Sequence, residues 1–316
     1  MFFKLRKWFF IALFPIVVFG SFLALCPGDL YANEKVLQVV ATTTTYANLV
    51  KEIGGDKVVL NHVASPKFNV HSIQPKPSDV RNVSEADLFA YTGLDLEMWM
   101  DPLVEAAGKP QFFRGRERSI DLSRNIPLLG VPTHQISRSE GDLHIFGNPH
   151  YWMSPENAKI MIQTILEKLI EADPENASTY EQNAKDFVSR LDSKIVEWKT
   201  LCAHCVGKEV VSYHRDSEYL ADFLGIKISQ HIEPKPGIPP TPKHMQFLEG
   251  YMKRNNVKII IRPTFYPVDS AEAVAERVGG KTVTICQNVG ELPNLTDYIA
   301  LIDFNVRQLS EALKTS

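Results

Sequence analysis

The sequence predicts an α/β fold made of two similar lobes, each with a mostly parallel sheet, joined by one long connecting helix. Short apolar runs typical of buried strands alternate with amphipathic segments typical of helices, the order expected for a parallel sheet covered by helices. This alternation occurs twice, on either side of a long helical segment that contains no breaker. We therefore predict a first lobe at residues 33–172, a connecting helix at 173–201 and a second lobe at 202–316.

The first 32 residues have the pattern of an export signal. Three basic residues precede an apolar run at residues 8–25, and polar and small residues follow it. We expect cleavage near Ala32, while the length of the apolar run is also compatible with an uncleaved membrane anchor, and Cys26 with lipid attachment. The pattern predicts a protein of the periplasm or the cell surface.

The composition is that of a folded globular protein. Hydrophobic residues make up 44% of the 316 residues and charged residues 22%, which argues against a disordered or fibrous chain. Residues 1–32 carry a net charge of +2, so the rest of the chain carries about −5. Nothing in this balance indicates a nucleic-acid partner, and we expect a monomer.

Four strand-helix pairs make up the predicted first lobe. Glycines end the first helix, whereas Ser154 as N-cap and Pro155 at the first helical position predict the start of the last one. The pairs, with the strand first, are "VLQVVATTTTY" and "ANLVKEIGG", "KVVLNHVA" and "KPSDVRNVSEA", "DLFAYTG" and "LEMWMDPLVEAAG", and "RSIDLS" and "SPENAKIMIQTILEKLIEAD".

The connecting helix is predicted in "DPENASTYEQNAKDFVSRLDSKIVEWKTL", which begins with the cap-and-proline pair Asp173 and Pro174. A helix of roughly 27 residues is roughly 40 Å long, enough to span a domain. We interpret it as a rigid connector between lobes, the alternative being a helix packed within one domain. Its apolar residues recur every three or four positions: Ala177, Tyr180, Ala184, Phe187, Leu191, Ile195 and Trp198.

The second lobe repeats the alternation around a proline-rich loop, "EPKPGIPPTPKH". Ligands of open α/β sheets bind beyond the carboxyl ends of the strands, so two such lobes predict a ligand site in the cleft between them. The strand-helix pairs are "KEVVSYH" and "SEYLADFLG", "KISQHI" and "HMQFLEGYMKRNN", "VKIIIRP" and "AEAVAERVGG", and "KTVTI" and "YIALIDFNVRQLSEAL".

Three histidines lie where a strand or loop ends near a helix start. His71 occurs in "NVHSIQPKPSDV", His150 in "GNPHYWMSPENA" and His214 in "VVSYHRDSEYL". One such histidine is usually structural, but three at matching junctions in both lobes favour convergence on one point of the cleft. Neutral imidazoles are good ligands for zinc and similar ions, so the pattern predicts a metal site.

Four segments together resemble a known family: "ATTTTYANLVKEIGGDKVVLNHVA", "HSIQPKPSDVRNVSEADLFAYTGLDLE", "NPHYWMSPENA" and "VVSYHRDSEYLADFLG". In order and spacing they are similar to the metal-binding solute receptors of zinc and manganese ABC importers, called cluster A-I. The resemblance covers nearly all of the chain after the export segment. It implies two α/β lobes joined by a long helix, a divalent metal held between them, and delivery of the metal to a membrane ABC permease.

The resemblance also implies a ligand set. The family's three histidine positions fall on His71, His150 and His214, and three imidazoles favour Zn²⁺ over Mn²⁺, which prefers more oxygen ligands. Where many relatives have an aspartate after the last strand of the second lobe, this chain has Cys286 in "TICQ". Either a Cys286 thiolate completes the site, or the fourth position is water or a carboxylate, with Glu233 the best candidate.

Other residues near these motifs have lesser predicted roles. Cys202 and Cys205 of "CAHC" predict a local disulfide, with a redox pair or metal clip as alternatives. Asp216 is a candidate partner that orients an imidazole, and His144 a candidate that recruits or caps the metal.

Two other classes of function compete with the receptor. A three-histidine site with bound water also describes a zinc hydrolase, although the chain has no HExxH motif and no evident general base other than Glu233. A surface adhesin would need no metal site. We therefore predict a receptor and not an enzyme.

Overall fold

Two parallel sheets with the same strand order form the framework of the protein. A computed structural model describes residues 1–3, 5, 7, 36–133, 144–235 and 237–314. The first sheet has the order β2-β1-β3-β4, with β1 (Leu37–Ala41), β2 (Val58–His62), β3 (Leu88–Tyr91) and β4 (Ser119–Asp121). The second has the order β6-β5-β7-β8, with β5 (Glu209–Ser212), β6 (Lys227–His231), β7 (Ile259–Pro263) and β8 (Lys281–Ile285). Every strand pair is parallel, so the predicted fold class is confirmed.

Helices cover these sheets in the predicted alternation. Several helix starts differ from the sequence pattern, and two of these differences have a clear local cause. The first helix begins earlier, at Thr44, because the Thr43 hydroxyl accepts a hydrogen bond from Tyr46 N at 3.3 Å. The third begins later, at Met100, because Pro102 is tolerated only in a first helical turn. The helices are α1 (Thr44–Gly54), α2 (Pro77–Glu85), α3 (Met100–Ala106), α4 (Pro155–Ala172), α5 (Ala177–Leu201), α6 (Glu218–Leu224), α7 (Pro242–Arg254), α8 (Val268–Arg277) and α9 (Tyr298–Lys314).

The long helix α5 has 25 residues and packs against α1, α4 and α9, which come from both lobes. Six of the seven predicted apolar positions are buried, and Ala177 at the helix start is partly exposed. Asp173 does not cap the helix as predicted. Its carboxylate instead accepts hydrogen bonds from the Tyr180 hydroxyl at 2.6 Å and the Asn176 amide at 2.8 Å, and a short 3₁₀ turn precedes α5.

One continuous apolar core extends through both lobes. Residues of β1, α1 and α4 share it with residues of β7, β8 and α9, and α5 lies along it. Trp198, fully buried near the end of α5, donates a hydrogen bond from Nε1 to Asp303 Oδ1 at 2.9 Å, which fixes the helix against α9. The lobes therefore meet through packed side chains.

The sheets also decide where the loops converge. The loops after β2 and β5 carry His71 and His214, and the loop after β8 carries Cys286. Parallel strands place these ends on the same edge of each sheet. Among the residues that the structure describes, no helix is long and apolar enough to cross a membrane. The predicted export segment and Cys26 lie outside the described residues.

Candidate metal site

Short 3₁₀ turns present the two histidines of the first lobe. His71 lies in such a turn after β2, and its backbone N–H donates to Asn69 Oδ1 at 3.0 Å. His150 directly precedes another turn, and Asn148 Oδ1 accepts from its backbone N–H at 2.9 Å and lies 2.8 Å from its ring Nδ1. In both cases an asparagine two residues upstream holds the turn, which places the imidazole before any ligand arrives.

His214 enters the cleft from the second lobe. It follows β5 and precedes a third 3₁₀ turn. Its Nδ1 lies 2.7 Å from Glu233 Oε2, and that carboxylate oxygen also accepts from Gly237 N at 3.2 Å. Tyr266 covers the imidazole, with ring centroids 5.7 Å apart. The Glu233 contact leaves Nε2 as the ring nitrogen available to the cleft.

The three imidazoles converge on one point. One ring nitrogen from each of His71, His150 and His214 lies within 4.8 Å of the other two. The Nε2 atoms of His71 and His150 are 3.2 Å apart, and the three ring centroids are 5.3 to 5.7 Å apart. His150 and His214 are each only 4% exposed, whereas His71 is half-buried.

This spacing suits a transition-metal ion. Two ligands of a tetrahedral zinc ion, each bound at 2.0 to 2.1 Å, lie about 3.3 Å apart, close to the separation of the two Nε2 atoms. His150 and His214 also have Nδ1 held by an oxygen, the usual arrangement of metal-binding histidines because it sets the tautomer and aims Nε2. No partner for His214 Nε2 exists among the described residues, although the atom is buried.

Burial and neighbouring charge shift the pKa values of the three histidines in different directions. Burial, followed by the nearby imidazoles, lowers the pKa of both His71 and His150 well below the ordinary value. Burial also acts to lower the pKa of His214, but the hydrogen bond that the ring donates to Glu233 and the charge of nearby carboxylates outweigh it, so this pKa is raised. Two imidazoles are therefore neutral at neutral pH, and the third is the one that retains a proton longest.

Polar groups without protein partners surround the convergence point. Asp216 Oδ2, both amide atoms of Gln287 and Asn288 Oδ1 are buried and unpaired within the described parts of the chain. They line one pocket with His71 and His150. Burial raises the pKa of Asp216 to about 6. Unpaired buried polar atoms cost free energy, so their concentration here marks a place where a polar ligand or ion is accommodated.

Cys286 does not join this group. Its backbone N–H donates to Asn305 Oδ1 at 2.8 Å, and the Asn305 amide donates to Cys286 O at 2.7 Å. The fully buried thiol packs with apolar residues of the following loop and α9, where burial and then Glu291 raise its pKa. The adjacent Gln287 faces the cleft instead, because neighbouring side chains on an extended segment point to opposite sides.

The contacts of Glu233 and Asp216 differ from the roles predicted for these two residues. Glu233, a candidate fourth ligand, orients His214, whereas Asp216, a candidate orienting group, presents an unpaired oxygen to the pocket that contains His71. Neither Asn148 nor Gln287 was predicted from the sequence as a residue of the site. An asparagine two residues before a candidate ligand was an available signal for Asn148, but Gln287 had none beyond the strand alternation.

Cys202 and Cys205 are free thiols in the structure rather than the predicted disulfide. Both are buried, with Cys202 Sγ 3.7 Å from Val306 O and Cys205 Sγ 3.5 Å from His204 Nε2. They lie at the end of α5 and contribute to the core rather than to the cleft.

Two parallel-sheet lobes with buried imidazoles converging between them define a solute-binding receptor for a metal ion. The chain belongs to the family described as "ZnuA: Zinc-uptake complex component A periplasmic", whose model matches residues 39–312. The family consists of solute receptors and not enzymes, and the hydrolase alternative has no support.

Relatives cover nearly the whole chain. It is 26% identical over 312 residues to the iron-binding protein YfeA of Yersinia pestis, and the aligned region covers 95% of this chain and 94% of YfeA. It is 25% identical over 320 residues to the high-affinity zinc uptake system protein ZnuA of Bacillus subtilis, spanning 98% of each. A third relative, the metal ABC transporter substrate-binding lipoprotein SsaB of Streptococcus sanguinis, is 30% identical over 59% of this chain and 58% of its own length.

The fold is that of a solved solute receptor. The structure of the binding protein FpvC from Pseudomonas aeruginosa in complex with Mn²⁺ superimposes with a TM-score of 0.77 over 89% of this chain and 99% of the other, at 22% identity. The named relatives bind different metals, so the family alone does not assign one to this chain.

Proposed function

We propose that the chain captures Zn²⁺ outside the cytoplasm, with Mn²⁺ a weaker substrate, and delivers it to a membrane ABC permease. The observation that carries the proposal is the convergence of His71, His150 and His214 on one buried point. Imidazole nitrogen suits zinc, whereas manganese prefers carboxylate, carbonyl and water oxygens. Within the described parts of the chain, the carboxylate that contacts this group is that of Glu233, and its oxygen binds an Nδ1 atom instead.

We also propose the export route and the domain limits that the sequence predicts. The basic-then-apolar pattern of residues 1–32 supports export through an amino-terminal signal peptide. We propose that residues 33–172 and 202–316 act as the metal-binding lobes, with 173–201 as the rigid connector, in a monomeric receptor. The packing of α5 against helices of both lobes supports this division.

Metal exchange requires the lobes or their loops to separate locally. Trp152 Nε1 donates to Gln287 O at 2.9 Å, and Thr44 Oγ1 donates to Val289 O at 2.7 Å, so the loop after β8 is tied to the first lobe. The shared core and α5 oppose a large hinge motion. Movement of one ligand loop is therefore the smallest change that exposes the metal to a permease.

Metal titration of the purified full chain tests this function. After removal of metal with a chelator, we expect one Zn²⁺ per chain and a preference for Zn²⁺ over Mn²⁺ of at least about 100-fold, because nitrogen donors dominate the site. Competition against a chromophoric chelator measures both quantities. A metal-free chain that takes up no Zn²⁺ overturns the proposal, and tighter binding of Mn²⁺ overturns the choice of metal.

Zinc affinity should decline as the pH is lowered. Protons compete with the metal first at His214, whose pKa is raised, and only at lower pH at His71 and His150, whose pKa values are lowered. Below the pKa of His214, we expect the affinity to fall about tenfold per pH unit, and more steeply in acid. Competition titrations between about pH 8 and about pH 5.5 measure the slope. An affinity independent of pH would contradict imidazole ligation.

A further inference from the structure

A fourth histidine lies beside the three converging imidazoles and is held by its own carboxylate. His144 Nδ1 is 2.6 Å from Asp95 Oδ1, and the backbone N–H of Ile145 donates to Asp95 Oδ2 at 3.0 Å. The two carboxylate oxygens of Asp95 therefore bind two consecutive residues, His144 and Ile145. The side chains of His144 and Asp95 are only 11% and 20% exposed.

The free nitrogen of this imidazole is directed into the protein. His144 Nε2 is buried and has no partner in the described ranges. The His144 ring centroid lies 5.2 Å from that of His71, closer than any pair among the three converging histidines, and 6.1 Å from that of His150. The ring also lines a pocket with His150 and His214. His144 Nε2 is not part of the group of ring nitrogens from His71, His150 and His214 that lie within 4.8 Å of one another. Coordination by His144 therefore requires its ring to move a small distance towards these three histidines.

The same construction occurs three times around the cleft. His150, His214 and His144 each have Nδ1 within 2.6 to 2.8 Å of a side-chain oxygen, from Asn148, Glu233 and Asp95 respectively. A carboxylate that accepts from Nδ1–H leaves the Nε2 lone pair for a metal and makes it more basic. His144 therefore has the orientation of a ligand rather than that of a surface histidine.

The turn that carries Asp95 is itself fixed. Gly93 has φ of 81° and Leu94 has φ of 54°, and a Cβ on Gly93 would lie 2.2 Å from an Asp121 oxygen, so only glycine fits there. Arg114 donates to Leu94 O at 3.1 Å and to Glu97 O at 2.9 Å, on either side of Asp95. The "TGLDLE" segment therefore forms a fixed turn, and its first acidic residue, Asp95, contacts the His144 imidazole.

Charge balance favours the same arrangement. Four neutral imidazoles around a divalent ion leave its charge uncompensated, but Asp95 and Glu233 each place a carboxylate one hydrogen bond away from a ligand ring. Two such carboxylates offset a charge of +2 without contributing oxygen ligands. Oxygen-preferring ions gain less from this site than zinc does.

We propose that His144 supplies a fourth imidazole to the bound metal and that Asp95 positions it, which makes the site selective for nitrogen-preferring divalent ions. This inference rests on the proposed function. Asp216 and Gln287, whose unpaired atoms line the other pocket with His71, are the competing sources of a fourth ligand.

The test compares the full chain with His144→Ala and Asp95→Asn, using Zn²⁺, Mn²⁺ and Co²⁺ as probes. We expect His144→Ala to weaken Zn²⁺ binding at least about tenfold, to change Mn²⁺ binding less, and to alter the visible absorption of the Co²⁺ form, which reports the ligand set. Asp95→Asn should weaken Zn²⁺ binding about tenfold while retaining the tetrahedral Co²⁺ absorption. Phe146→Ala, which changes a half-exposed side chain of the same segment, is the matched control.

Thermal unfolding of the metal-free variants verifies that they are folded. Unchanged Zn²⁺ affinity and an unchanged Co²⁺ spectrum in His144→Ala overturn this inference alone, and a loss in Asp216→Asn or Gln287→Ala would then identify the actual fourth ligand. An unmodified chain that binds no Zn²⁺ overturns the proposed function as well.

Discussion

Replacement of His150 by alanine should lower zinc affinity about 100- to 1000-fold. The binding free energy of a structural zinc site is about 10–16 kcal/mol and is shared among four ligands, so the loss of one ligand removes about a quarter of it. His150 is central to the group: its Nε2 lies 3.2 Å from that of His71, and its ring packs against Trp152 with centroids 5.3 Å apart. The protein should remain folded, because Asn148 still accepts from the backbone N–H of residue 150. Chelator competition at neutral pH measures the loss.

Two controls accompany this variant. His62→Ala removes an exposed imidazole at the end of β2 and should leave the zinc affinity unchanged. Cys286→Ala removes a thiol that packs in the apolar cluster beyond β8, and it should also retain the affinity. A loss in Cys286→Ala as large as that in His150→Ala would show that the thiolate coordinates the metal. Full affinity in His150→Ala would exclude the three-histidine site.

Glu233→Gln is expected to weaken zinc binding about 10- to 100-fold at alkaline pH, the usual effect of removing a carboxylate that orients a metal-binding histidine. Glutamine keeps an oxygen for His214 Nδ1 but loses the negative charge that raises the pKa of this histidine. Protons then compete less with zinc at His214 in the variant. The difference in zinc affinity between Glu233→Gln and the unmodified chain should therefore narrow as the pH falls below the raised pKa of His214. Titrations at about pH 8 and about pH 6 measure this convergence.

A matched control for this change is Glu311→Gln, an exposed glutamate on α9 paired with Lys314 at 2.8 Å. It removes the same charge far from the cleft and should not change the zinc affinity. Equal zinc affinities of Glu233→Gln and the unmodified chain at both pH values would mean that the His214–Glu233 contact has no role in binding.

Much of the fold was predictable because it depends on neighbours in the chain. The apolar stripe from Tyr180 to Trp198 follows from a spacing of three and four residues, and burial of this stripe is what the structure shows. Ser154 and Pro155 start α4 as predicted, because capping is a contact between residues a few positions apart. The misplaced start of α3 also had a local cause, Pro102, that the apolar pattern alone did not include.

The sequence by itself determined the two parallel-sheet lobes, the long helix and the three candidate histidines, since each depends on local periodicity or on a junction between adjacent elements. Only the tertiary structure decided which groups meet. Glu233 reaches His214 across 19 positions and Asp95 reaches His144 across 49. A single step along the extended segment after β8 turns Cys286 into the core and Gln287 into the cleft. Such contacts depend on how separate loops are brought together and on which side of the chain each residue faces, and neither is encoded in residue spacing alone.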